Sequence, residues 1–237
     1  MLCGGAVTFA PMGRSSDGMI KGFIFDLDGV LTDTAEYHYR GWKRLADELG
    51  VSFTREDNEA LRGIPRRESL MLILKEHQFT EHEILELMDR KNRYYLELIR
   101  DVTPRDLLPG ARELLEEIRA AGLKSAVGSA SKNAADVIER LGIENLFDVI
   151  ADGHSVTLQK PAPDLFLYAA GQLELNPTQC VVVEDAAAGI EAARSGGFLS
   201  IGLGPRERVA RADLVLPGLD GVHLQDLLDR LDNSSAI

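Results

Sequence analysis

Short apolar runs alternate with amphipathic stretches along most of this chain. The first run, Phe-Ile-Phe at residues 23–25, is followed directly by Asp26, Asp28 and Gly29. A run of this kind is typical of a strand that is buried on both faces of a parallel sheet. Further runs predict strands that alternate with helical patterns, at residues 124–127, 148–151, 180–183, 198–202 and 212–216. This alternation predicts an α/β fold with a doubly wound, Rossmann-like parallel sheet.

The pattern is different between the first two strands. Apolar positions three and four residues apart predict a helix that ends at Gly50 and further helices at residues 56–61, 67–76 and 80–99, with no strand from 34 to 102. Asp33 and Glu36 predict a capping box at the first of these helices. We therefore expect a helical cap domain at residues 34–103, with hinges near 32–34 and 103–109. The core domain is expected at residues 19–33 and 104–237, after a disordered N-terminal extension at residues 1–18.

Composition and charge narrow the possible partners. The chain of 237 residues is 45% hydrophobic and 27% charged, with a net charge of −12. This acidic balance argues against nucleic acid or an anionic membrane as a partner, and no segment is long and apolar enough to be expected to span a membrane. Two cysteines, Cys3 and Cys180, favour a reducing compartment over a disulfide framework. We expect a cytoplasmic monomer.

The two carboxylates after the first strand carry the first chemical signal. Side chains alternate along a strand, so Asp26 and Asp28 are expected on the same side, with Leu27 pointing away. Like charges this close are costly unless a cation lies between them or one carboxylate holds a proton. The pair therefore predicts a metal ion, a separation of the two pKa values, or both.

Polar residues also follow the other predicted strands. Because the carboxyl ends of parallel strands meet at one edge of the sheet, we expect these groups to lie near the two aspartates. They are Ser129, Ser131, Lys132 and Asn133 after the second strand, Lys160 after the third, and Glu184 and Asp185 after the fourth. Carboxylates without a nearby His or Cys favour Mg²⁺ over zinc, and the turn at residues 129–133 into a helix favours an anion.

Each of these features also has a purely structural interpretation. Asp26 and Asp28 could belong to a simple turn. Asp185 and Ser131 could each cap the helix that follows them. Lys160 could be an exposed lysine ahead of a proline-led helix.

Four motifs together are far more specific than any one of them. They are Asp26-Leu-Asp-Gly, Ser129, Lys160-Pro161 and Glu184-Asp185. In order and spacing they resemble the haloacid dehalogenase (HAD) superfamily, over almost all of the chain from residue 19. The resemblance implies that Asp26 is a nucleophile that becomes an aspartyl phosphate and that Asp28 is the general acid and base. It also implies that Mg²⁺ is held by Asp26, the backbone carbonyl of Asp28, Glu184 and Asp185, and the phosphoryl group by Ser129 and Lys160.

Other stretches resemble the sugar-phosphate mutases of this superfamily, at residues 32–40, 61–70, 129–133 and 160–164. The resemblance implies an enzyme that interconverts glucose 1-phosphate and glucose 6-phosphate through a bisphosphate. A mutase needs a second site for the phosphate that is not reacting, and the groups suited to it are Arg66 in the cap with Ser131, Lys132 and Asn133 in the core. The resemblance also implies contacts to the sugar or to the closing cap from His38, Trp42, Arg62 and Gly63.

Several alternatives remain open at this point. His38 could simply pack beside Trp42, and Arg62 could be a solvated arginine. The enzyme could be a phosphatase of sugar phosphates or phosphoglycolate that uses the same nucleophile, with water replacing the second sugar hydroxyl. The helical insertion and Asp28 argue against a receiver-type phosphoacceptor module. A dehalogenase is disfavoured because it would give Asp28 no leaving oxygen to protonate.

Overall fold

The central feature of the fold is a parallel sheet with the first strand in its middle. The computed structural model describes residues 19–61, 64–75 and 77–234. The strand order is β3-β2-β1-β4-β5-β6. The strands are β1 (Gly22–Phe25), β2 (Lys124–Gly128), β3 (Val149–Ala151), β4 (Cys180–Glu184), β5 (Leu199–Leu203) and β6 (Leu214–Leu216). This arrangement confirms the predicted doubly wound α/β fold.

Strand β1 is apolar because it is covered on both faces. Phe23 and Phe25 point to one face of the sheet, where they join the larger core cluster, and Ile24 points to the other. All three side chains are fully buried. The core helices that cover these faces are α5 (Ala111–Ala120), α6 (Ala134–Leu141), α7 (Asp164–Gln172), α8 (Ala187–Ser195), α9 (Arg206–Val209) and α10 (Leu224–Ser234).

Among the described residues, four α-helices lie between β1 and α5, as the apolar spacing predicts. They are α1 (Ala35–Glu48), α2 (Arg55–Glu59), α3 (Arg66–Leu74) and α4 (Glu81–Leu98). They pack around their own buried cluster, which includes Trp42, Leu45, Leu70 and Leu87. The described part of residues 34–103 contains no strand. The division into cap and core domains at these boundaries stays a prediction.

The two chain segments that connect the helical insertion to the sheet are joined side by side. Thr32 and Leu107 form an isolated antiparallel bridge. The Leu108 amide donates to the Leu31 carbonyl at 2.9 Å, and the Thr32 hydroxyl donates to the Asp106 carbonyl at 2.7 Å. Both expected hinge regions therefore meet at one place beside the carboxyl end of β1.

Two local predictions are wrong. Asp33 and Glu36 do not form a capping box, because the N-cap of α1 is Thr34; the Asp33 carboxylate accepts from the Ala35 amide at 3.0 Å, and Glu36 pairs with Arg55. The short helix α9 was not predicted, since its three charged residues and single valine give no apolar periodicity.

The structure bears on two further predictions, the N-terminal extension and the lack of a membrane-spanning segment. The expected N-terminal extension at residues 1–18 lies outside the described residues. Across residues 19–61, 64–75 and 77–234, no helix combines the length and apolar character needed to cross a membrane.

Gly110 provides a test of how tightly the core is assembled. It precedes α5 with φ +80°, and a Cβ there would lie 1.9 Å from the Leu219 carbonyl oxygen. Gly122, just after α5, has φ +72° but open space around it. We expect Gly110→Ala to lower the free energy of unfolding by about 3 kcal/mol or more, and Gly122→Ala by about 1 kcal/mol. Equal losses in urea denaturation would contradict this packing.

Candidate active site

A cavity of about 500 Å³ lies between the carboxyl ends of the central strands and helices α1, α3 and α4. It brings most of the predicted site residues to one place, namely Asp26, Asp28, His38, Trp42, Arg66, Ser129, Ser131, Lys132, Lys160, Glu184 and Asp185. Asn133 follows this wall at the start of α6 without lining it. Arg62 and Gly63 lie outside the described residues.

Lys160 connects the acids at the ends of two neighbouring strands. Its Nζ lies 2.5 Å from Asp26 Oδ1 and 2.7 Å from Glu184 Oε2, and all three side chains are buried. Burial alone would lower the pKa of Lys160, but the two carboxylates raise it above its ordinary value. Burial raises the pKa of Asp26 well above its ordinary value, and Lys160 opposes this shift. The lysine therefore keeps its charge and neutralises part of the acidic cluster.

Three of the acids are close enough to share one cation. Ligand oxygens of Asp26, Glu184 and Asp185 all lie within 4.8 Å of one another. A Cβ on Gly29 would lie 2.3 Å from Asp185 Oδ2, and one on Gly189 would lie 1.8 Å from Glu184 Oε2. These glycines leave the room that the carboxylates occupy. Buried carboxylate oxygens in this arrangement fit a hard divalent cation.

The Glu184 side chain, rather than that of Asp185, accepts hydrogen bonds from the backbone amides that precede α8. Its Oε1 accepts hydrogen bonds from the amides of Asp185 and Ala186, each at 3.0 Å. The N-cap residue is Ala186, so the alternative of Asp185 as the helix cap does not describe this site. These bonds hold Oε1, while Oε2 faces Lys160.

Asp28 occupies a different environment from Asp26. Its Oδ1 accepts a hydrogen bond from the Thr34 hydroxyl, a residue that the sequence analysis did not single out. Burial, followed by the negative charge of Asp185, raises the pKa of Asp28 to about 7. A carboxyl group with this pKa is able to hold and to release a proton near neutral pH.

The cap wall holds a buried lysine that sequence reasoning missed. Lys91 Nζ lies 2.8 Å from His38 Nδ1 and sits over the rings of Trp42 and Tyr95, 4.7 and 4.9 Å from their centroids. Burial and the positive charge of Arg66 lower its pKa well below the ordinary value. Burial and Lys91 likewise lower the pKa of His38. His38 both packs beside Tyr95, with ring centroids 4.3 Å apart, and lines the cavity.

The two neighbouring arginines at the start of α3 have different surroundings. Arg66 is half-buried, and burial lowers its pKa although Asp89 opposes the shift. Arg67 is exposed and forms a bidentate pair with Glu81, at 2.7 and 2.6 Å. Only Arg66 adds to the positive charge near Lys91, so the cap wall is electrostatically suited to an anion.

The turn between β2 and α6 is organised by two hydroxyls. Ser129 Oγ accepts from the Ser131 amide at 3.1 Å, and Ser131 Oγ accepts from the Asn133 amide at 3.2 Å. Helix α6 begins at Ala134, directly after this turn. Asn133 Nδ2 donates to Asn92 Oδ1 of α4 at 3.0 Å, which links the turn to the helical insertion.

Four functional candidates were absent from the sequence analysis: Thr34, Lys91, Asn92 and Arg208. Lys91 had a detectable signal, because a lysine interrupts the apolar stripe of α4 four residues before Tyr95. Arg208 lies in the unpredicted helix α9 and pairs with Asp185 at 3.4 Å.

Comparisons with known proteins show the family to which this chain is related. A family model described as a haloacid dehalogenase-like hydrolase matches residues 20–197. The chain is 45% identical to a β-phosphoglucomutase of Bacillus subtilis over 201 residues, 83% of this chain and 89% of the relative. It is 31% identical to a phosphorylated carbohydrates phosphatase of Thermotoga maritima over 184 residues, 76% of this chain and 82% of the relative. A crystal structure of β-phosphoglucomutase from Clostridium difficile, 40% identical, superposes with a TM-score of 0.89 over 92% of this chain and all of that one.

Proposed function

The chain belongs to the haloacid dehalogenase-like hydrolase family and is an enzyme, and from this premise we propose that it is a β-phosphoglucomutase. It interconverts β-D-glucose 1-phosphate and D-glucose 6-phosphate through an aspartyl phosphate and β-glucose 1,6-bisphosphate. The observation that carries this proposal is the shared cavity, in which Arg66 from the helical insertion faces the same space as Asp26 and Asp28. A relative 45% identical that bears this name supports it.

Asp26 is the group that accepts the phosphoryl. Glucose 1,6-bisphosphate first phosphorylates Asp26: one carboxylate oxygen forms a bond to phosphorus as the bond from phosphorus to the sugar oxygen breaks. The phosphorylated Asp26 then transfers the phosphoryl to the 6-hydroxyl of β-glucose 1-phosphate, which gives the bisphosphate. After the bisphosphate turns around, Asp26 takes the phosphoryl from its 1-position, and glucose 6-phosphate leaves. Lys160 lies within hydrogen-bond distance of Asp26 and, with Ser129, aligns and neutralises the phosphoryl oxygens. Mg²⁺ held by Asp26, the Asp28 carbonyl, Glu184 and Asp185 supplies further charge neutralisation when bound.

Asp28 handles the proton in both directions. As the phosphoryl moves to Asp26, protonated Asp28 donates to the leaving sugar oxygen; as it moves back, Asp28 accepts the proton of the attacking hydroxyl. Its pKa of about 7 suits a group that alternates between the two states. Thr34 orients this carboxyl through its hydroxyl.

The non-reacting phosphate occupies the far side of the cavity. Arg66 supplies a planar fork of donors there, and Ser131 and Lys132 supply the core side. Asn133, which does not line the cavity, stays a predicted contact. His38, Lys91 and Trp42 face the sugar between the two phosphates. Arg62 and Gly63 stay predicted cap contacts. The partners are thus a phosphorylated hexose and its bisphosphate; a monomeric, cytoplasmic protein remains our expectation.

A sugar-phosphate phosphatase is the second candidate. The Thermotoga maritima relative supports it, because it is 31% identical and is named as a phosphatase of phosphorylated carbohydrates. Water would then attack the aspartyl phosphate in place of a sugar hydroxyl, and no distal phosphate site would be needed.

A coupled assay separates the two functions. The protein is given β-glucose 1-phosphate with a catalytic amount of glucose 1,6-bisphosphate, and glucose 6-phosphate and free phosphate are measured side by side. We expect glucose 6-phosphate to form faster than free phosphate. Release of phosphate in step with loss of substrate would instead support the phosphatase.

Replacing Asp28 tests the assignment of the proton carrier. We expect Asp28→Asn to lower kcat by roughly 10²–10⁴ because an amide cannot exchange this proton. Exposed Asp47, which pairs with Lys43 on α1, serves as a matched control, and Asp47→Asn should leave kcat within about twofold, as expected for a surface position. Turnover of Asp28→Asn close to that of the unmodified protein would remove the assignment.

Arg66 and Arg67 provide a matched pair for the distal phosphate site. Arg66→Ala should raise phosphate release relative to isomerisation by roughly tenfold to a hundredfold, since a hydrogen bond to a charged group contributes about 1.5–3 kcal/mol. Arg67 also borders the cavity, but its guanidinium is exposed and paired with Glu81, so Arg67→Ala should change the ratio by less than about twofold. An unchanged ratio in both variants would argue against a distal site.

A further inference from the structure

Arg208, which is not one of the predicted site residues, lies beside the acidic cluster of Asp26, Glu184 and Asp185. Arg208 lies on α9, which follows β5, and its Nη2 is 3.4 Å from Asp185 Oδ2. The Asp185 side chain is only 6% exposed, and that of Arg208 is 31% exposed. The family model matches residues 20–197, so Arg208 lies beyond the region that this match covers.

Two glycines near α9 leave space for Arg208 to approach Asp185. Gly204 has φ +104°, and a Cβ there would lie 2.7 Å from Arg208 Nη2. A Cβ on Gly202 would lie 2.6 Å from Val209 Cβ, so α9 packs directly against β5. Arg208 Nε is buried and has no hydrogen-bond partner within the described part of the chain. The guanidinium therefore faces Asp185 through Nη2, while its Nε is buried without a hydrogen bond.

Two cationic side chains neutralise different carboxylates of the acidic cluster. Lys160 lies between Asp26 and Glu184, and Arg208 lies beside Asp185. We propose that Arg208 is the counter-ion of Asp185 in the metal-free protein and that it lowers the affinity of the acidic cluster for Mg²⁺. This inference rests on the metal site of the proposed function.

Removal of the Arg208 guanidinium should have opposite effects on Mg²⁺ affinity and on the stability of the metal-free protein. An arginine side chain does not lose its proton, so its charge remains beside Asp185 when a divalent cation binds, and the two positive charges repel. Removing the guanidinium should therefore tighten Mg²⁺ binding. The same change leaves Asp185 buried beside other acids without this counter-ion, which should destabilise the metal-free protein. If Arg208 had only a structural role, its removal would lower both the affinity for Mg²⁺ and the stability of the protein.

The test measures Mg²⁺ binding by calorimetry and the melting temperature without metal. We expect Arg208→Gln, and Arg208→Met as a second neutral variant, to bind Mg²⁺ about threefold to tenfold more tightly, as expected for loss of one partly screened charge contact. Both should melt at a lower temperature without metal and gain more from Mg²⁺ than the unmodified protein. Arg211→Gln removes the same charge from the exposed pair with Glu191 and should change affinity by less than about twofold.

Unchanged or weaker Mg²⁺ binding in the Arg208 variants that fold would overturn the inference. If the unmodified protein binds Mg²⁺ and acts as a mutase, such a result leaves the proposed function intact. If the unmodified protein binds no Mg²⁺, both this inference and the proposed metal site fail.

Discussion

Repulsion among buried carboxylates is the constraint on which this site depends. Strands β1 and β4 lie side by side at the centre of the sheet, and both end in acids that are largely removed from water. A cluster of this kind is unfavourable without compensating positive charge. Lys160, in the loop between β3 and α7, supplies part of that charge, with its Nζ 2.5 and 2.7 Å from two of the acids. The remaining negative charge is what makes the cluster suited to a divalent cation.

The opposite wall has the complementary imbalance. Lys91 and Arg66 lie near each other in the helical insertion, and each has a pKa below its ordinary value, chiefly because of burial. An anion between them would reduce the cost of burying both. The cavity is thus acidic on the side of the sheet and basic on the side of the helical insertion. The proposed bisphosphate needs positive charge at both of its ends: Arg66 and Lys91 would supply it on the basic side, and Lys160, with a divalent cation when bound, on the acidic side.

The strongest predictions from the sequence came from patterns with one physical explanation. The apolar run before Asp26 had to be buried on both faces, so it had to be a central strand, and the acids after it had to lie at the sheet edge. The weaker ones depended on contacts between distant residues. A lysine within the apolar stripe of α4 marks Lys91 as unusual, but only the neighbouring rings of Trp42 and Tyr95 show how it is accommodated. The capping box between Asp33 and Glu36 was wrong because α1 begins one residue later than that box requires and Glu36 pairs with Arg55 from another helix.

The most direct measurement identifies the residue that carries the phosphoryl group. The protein is incubated with glucose 1,6-bisphosphate, quenched in acid, digested and analysed by mass spectrometry, with Asp26→Asn treated in parallel. The account predicts a hydroxylamine-sensitive phosphoryl group on the peptide that contains Asp26, and none in the variant. A phosphoryl group on Ser129 or any other residue, or turnover without a phosphorylated protein, would contradict it.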